Sequence, residues 1–120
     1  MIETTKREYI IEFIRFVVNE LGINHNVPVH LTKKRNDMIR TTAAYNIAES
    51  IHIYIKDRAL VDILRSIAHE LVHHKQYEEG RLKDTTIIPD IGGEIEDEAN
   101  AIAGQLIKKF CYNNKIIYEM

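Results

Sequence analysis

The chain has 120 residues, one cysteine and a net charge of −2, with 45% apolar and 28% charged residues. This size predicts a single domain over residues 1–120, able to bury roughly two-thirds of its unfolded surface on one core. The balanced charge excludes nucleic-acid binding driven by a basic field, and a lone Cys111 excludes an intramolecular disulfide or a cysteine-based zinc site. Glu3, Lys6, Arg7, Glu8 and Glu12 interrupt the apolar residues of the N-terminal region. Neither a signal peptide nor a membrane span is therefore expected, and the expected location is cytoplasmic.

In chain order, the first predicted element is a helix. Thr5 and Glu8 have capping-box spacing, Ile10, Phe13, Ile14, Val17, Val18 and Leu21 recur at three and four, and Gly22 is a suitable stop. A β region follows. Val27, Val29 and Leu31 alternate beside Pro28, which suits an edge strand. Met38 to Tyr45 gives a weaker strand signal. Ser50 to Ile55 gives the clearest, with Ile51, Ile53 and Ile55 on one face and His52 and Tyr54 on the other. Asp57 is the expected cap of a second helix reaching about Tyr77, with Gly80 just past its end. A loop from Arg81 to Pro89 leads to a third helix from about Gly93 to Tyr112, and Lys115 to Tyr118 is a candidate short strand. The expected class is α+β, with a small, mainly antiparallel sheet.

The second helix contains His69-Glu70-Leu71-Val72-His73. Histidines at i and i+4 share one helical face, a spacing that lets two imidazoles grip one Zn²⁺ with the intervening Glu beside it. A shuffled chain of this composition would contain the pattern about 0.03 times, so chance is a poor explanation. On the helical wheel Leu60, Ile63, Leu64, Ile67, Ala68 and Leu71 form the apolar face, whereas His69 and His73 lie opposite its centre beside Asp62 and Ser66. That position predicts a cleft rather than the core.

A catalytic zinc site takes three protein ligands and keeps one position open. The third helix offers Glu94, Glu96, Asp97 and Glu98. Only Glu96 shares a face with Ala99, Asn100, Ala103, Leu106, Ile107 and Phe110, and an acid on an apolar stripe needs a partner. Glu96 is therefore the expected third ligand, with Glu94 and Glu98 facing solvent. His74 is turned about 100° from His73 and is expected at the surface. His25, His30 and His52 read as structural or surface residues, and Cys111 as a buried thiol.

His69-Glu70-Leu71-Val72-His73 followed by Glu96-Asp97-Glu98-Ala99-Asn100 resembles the gluzincin metallopeptidases. It is most similar to small single-domain members, the minigluzincins and the ImmA/IrrE-type peptidase domain. The match covers roughly residues 50 to 110. The resemblance implies a zincin-like fold, one Zn²⁺ on His69, His73 and Glu96, and Glu70 as general base toward a metal-activated water. It also implies a peptide or protein substrate. Asn100 falls where many gluzincins carry an Asp that orients a ligating His; an amide can do this only without charge, so its tuning is weaker. The exposed edge of the Ile51 to Ile55 strand is the expected seat of substrate by β-augmentation. Tyr45, Tyr77, Tyr112 and His74 are candidate oxyanion donors. The competing readings are a non-catalytic zincin module with structural zinc and a protein-binding groove, and a latent enzyme whose tail after Tyr112 covers the metal.

Overall fold

The computed structural model describes residues 4–34, 43–46, 49–82 and 93–120. The element order is α1 (Thr4–Leu21), β1 (Val29–Thr32), β2 (Ala43–Asn46), β3 (Ser50–Tyr54), α2 (Leu60–Glu78), α3 (Glu94–Cys111) and a terminal 3₁₀ helix (Lys115–Glu119). The chain is α+β, as its periodicities predict. Residues 38–42 of the weak strand signal and most of the expected Arg81–Pro89 loop lie outside the described residues.

Glycine stops two of the helices. Gly22 and Gly80 have φ of 64° and 78°, a region that costs a residue without Cβ nothing. Beyond α2, the Gly80 N–H donates to the Tyr77 carbonyl at 3.0 Å and the Arg81 N–H to the Gln76 carbonyl at 2.9 Å. This is a Schellman close, and it turns Arg81 back along the helix end. The start of α2 differs from expectation. Its N-cap is Ala59, without a side-chain cap, while Asp57 stands two residues earlier at φ 55° and turns the chain out of β3. The Arg58 guanidinium links that turn to α2 by donating to the Tyr54 and Asp62 carbonyls and to the Ser66 hydroxyl. α1 already includes Thr4, so Thr5 is inside it rather than at its cap.

The sheet is mixed rather than mainly antiparallel. Its order is β1-β3-β2, with β1 parallel and β2 antiparallel to β3. Alternation reveals which side chains share a face but carries no information on strand direction. Because β3 is central, it has no free edge, which corrects the expectation that it holds substrate. Ile51 and Ile53 of β3 are fully buried, while His52 and Tyr54 point to the other face.

α2 touches α1, α3, β2, β3 and the terminal helix. Its Leu60, Ile63, Leu64, Ile67, Ala68 and Leu71 join Ile10, Phe13 and Val17 of α1 and Ala103, Leu106, Ile107 and Phe110 of α3 in the apolar core. Each large side chain in this set contributes about 1.5–3 kcal/mol of burial. Phe13 meets Phe110 edge-on, 5.1 Å between centroids. The tail is a 3₁₀ helix, not a strand, and its Ile117 enters the same core. Among the described residues no helix is long and apolar enough to cross a membrane.

Candidate metal centre

The C-terminal half of α2 is covered on more sides than its apolar stripe predicts. Glu70, Val72, His73, His74 and Gln76 are all buried there. Two of these, His73 and Glu70, belong to the predicted motif. Ligand atoms of His69, Glu70 and His73 lie within 4.8 Å of one another, a group that could hold a metal ion.

α3 brings Glu96 to the same point. Its Oε1 lies 2.8 Å from His69 Nε2 and its Oε2 lies 3.1 Å from His73 Nε2. The two Nε2 atoms are 3.2 Å apart. Donors at metal distances of about 2.0–2.2 Å in a tetrahedral shell stand about 3.3 Å from one another, so this set suits a small divalent ion. The nitrogen and oxygen chemistry fits zinc, with cobalt and nickel as rivals for the same ligands.

The electrostatics of the cluster follow from burial. Glu70 is pushed up to about 8, first by loss of water and second by the Glu96 charge. His69 is held below its ordinary value mainly by burial; the neighbouring His73 adds to this, while Glu96 and a hydrogen bond with Asn100 oppose it. Asn100 is itself exposed, and its contact with His69 puts it at the position expected of an orienting residue.

His73 also has a partner on its far side. Its Nδ1 lies 2.8 Å from Gln76 Oε1. Gln76 Nε2 donates to the Ile95 carbonyl at 3.0 Å and to Glu98 Oε1 at 3.2 Å. Glu98 accepts two bonds from the Arg81 guanidinium, at 2.7 and 2.9 Å. That pairing holds the Glu98 carboxyl below its usual range. Glu98 is thus a partly exposed acid that is paired rather than free, while Glu94 is exposed as expected. Nothing in the periodicity of α3 flags Glu98, because its partner Arg81 comes from beyond the Gly80 turn.

His74 is the other correction. It is 2% exposed, not at the surface. Its Nε2 donates to the His25 carbonyl at 2.7 Å, which leaves Nδ1 to accept from the Tyr45 hydroxyl at 2.7 Å. Glu78, one turn on, accepts from the backbone N–H groups of Asn24 and His25. This second cluster ties β2 and the α1–β1 connection to α2. His74 and Tyr45 are bonded to one another, and Tyr112 is 74% exposed. His30 and His52 stack at 4.9 Å on the sheet, with His52 Nε2 bonded to Ser50 Oγ at 2.8 Å, apart from the candidate ligands. Cys111 is buried, and burial pushes its thiol up.

In comparisons with known proteins, no family model matches the chain, and no curated protein or solved structure is significantly similar to it.

Proposed function

We propose that this chain is a zinc-dependent metallopeptidase with a zincin-like fold, similar to the small gluzincins, that hydrolyses peptide bonds with Glu70 as general base. The observation that carries this reading is the meeting of the Glu96 carboxylate with both imidazole Nε2 atoms, beside a buried Glu70. His69, His73 and Glu96 would hold the ion. When bound, Zn²⁺ supplies Lewis acidity, which polarises a carbonyl and lets water attack at neutral pH.

The chain's own residues do the rest. The Glu70 carboxylate takes a proton from the attacking water and delivers it to the departing amine. Burial in the metal-free protein raises the proton affinity of the Glu70 carboxyl, the direction that suits a group that must accept a proton from water. Asn100 holds the His69 ring in place. Substrate adds to β2, an edge strand among the described residues, whose Tyr45 is bonded to the neighbour of His73.

The test is zinc content together with cleavage of an unfolded protein substrate, for wild type and Glu70→Gln. The reading expects about one zinc per chain in both proteins, and cleavage at least about 100-fold slower in the variant. Zinc without cleavage, or equal cleavage in both, would leave a metal-binding module and end the peptidase reading.

A further inference from the structure

Gln76 has no place in the predicted motif, yet it is fully buried and makes three polar contacts. Its amide has only one allowed orientation. The nitrogen end faces a backbone carbonyl and a carboxylate, both pure acceptors, so this end must carry the hydrogens. The oxygen end therefore faces His73 Nδ1, and at 2.8 Å that nitrogen must be the donor. A neutral His73 ring with hydrogen on Nδ1 has its lone pair on Nε2. That lone pair points to the Glu96 carboxylate 3.1 Å away and to His69 Nε2 3.2 Å away. Two acceptors facing each other at this range repel unless a hydrogen or a metal cation stands between them, and a metal ion satisfies all three groups at once.

We propose that Gln76, anchored to α3 through the Ile95 carbonyl and the Arg81–Glu98 pair, is a positioning residue that fixes the His73 tautomer and keeps Nε2 free for a metal ion. This rests on the metal reading of the site. Each link has one sense: Arg81 donates to Glu98, Gln76 donates to Glu98 and Ile95, and His73 donates to Gln76. The relay also joins the end of α2 to the first turn of α3, the turn that carries Glu96. The same chain that sets the tautomer of one ligand thereby sets the distance to another. The Gly80 turn is what returns Arg81 to this position. His69 has a weaker support, the uncharged and exposed Asn100.

The experiment measures Zn²⁺ affinity by competition with a chromophoric chelator in wild type, Gln76→Met, Arg81→Met and the exposed control Glu94→Gln. In parallel, nitrogen-15 NMR of the metal-free proteins at mildly alkaline pH reads the His73 tautomer. Gln76→Met is expected to weaken zinc binding about 10–100-fold and to give a mixed tautomer; Arg81→Met should weaken it by a smaller factor, about threefold, and Glu94→Gln should leave it unchanged. A folded Gln76→Met with wild-type affinity and a pure Nδ1–H ring would overturn the proposal. If Gln76→Met does not fold, Arg81→Met decides, and wild-type affinity there would overturn the relay. If wild type binds no zinc, the metal reading fails, and the wild-type tautomer still decides the role of Gln76: hydrogen on Nε2 would refute it.

Discussion

His73 and His74 are neighbours on one helix, 1% and 2% exposed, and they do opposite things. His74 is fully satisfied: one nitrogen donates to a carbonyl, and the other accepts from a hydroxyl. His73 is satisfied on one side only. Its other nitrogen meets a carboxylate and a second imidazole, an arrangement that needs a shared hydrogen or a metal cation at its centre. Burial alone therefore does not mark a functional histidine. The partners do, and a convergence of acceptors is the mark to look for.

Replacing each histidine tests this contrast most severely. His73→Ala should abolish high-affinity zinc binding, measured by chelator competition. His74→Ala should keep zinc binding but lower stability by about 2–4 kcal/mol in denaturant unfolding, because the His25 carbonyl and Tyr45 hydroxyl lose their partner. Variants that both lost zinc and stability in equal measure would erase the distinction.

The next effect concerns pH. In metal-free protein the folded-state value of Glu70, about 8, lies above the ordinary 4.5. The folded state thus binds the extra proton between those values, and stability falls as pH rises through this window. His69, depressed from 6.5, acts in the other direction, with stability lost as pH falls below that value, so the Glu70 effect is read above pH 6.5. Thermal unfolding of metal-free wild type should drop between pH 6.5 and pH 9 by about 5 °C more than that of Glu70→Gln. Parallel curves would contradict the assigned burial of Glu70.

The smallest effect is Tyr45→Phe, which removes one hydrogen bond from the His74 side. It should cost about 1 kcal/mol and leave zinc affinity untouched. A large loss of zinc would mean that the two faces of α2 are coupled.

Much of this was legible from spacing. The apolar periods place the three α helices of the described residues, and the i, i+4 histidines with Glu96 on the α3 stripe meet in space as their faces require. What escaped depended on contacts between distant segments. His74 is buried because it continues the apolar stripe of α2, seven residues past Ile67 and three past Leu71, where β2 and the His25 backbone cover it; comparing it only with His73 hid that position. Glu98 is paired because a Schellman turn sends Arg81 back to it. The parallel pairing of β1 with β3 carries no local signature, and residues 115–118 form a 3₁₀ helix because Ile117 reaches the core from a single turn. Asp57 has the composition of a cap, but the turn out of β3 uses its tolerance of positive φ instead.

The most direct test of the centre is metal content by mass spectrometry on tag-free wild type, Glu96→Ala and His74→Ala, each reconstituted with Zn²⁺ and desalted. The account predicts about one zinc per chain in wild type and in His74→Ala, and none retained in Glu96→Ala. Wild type without zinc, or Glu96→Ala with a full complement, would contradict it.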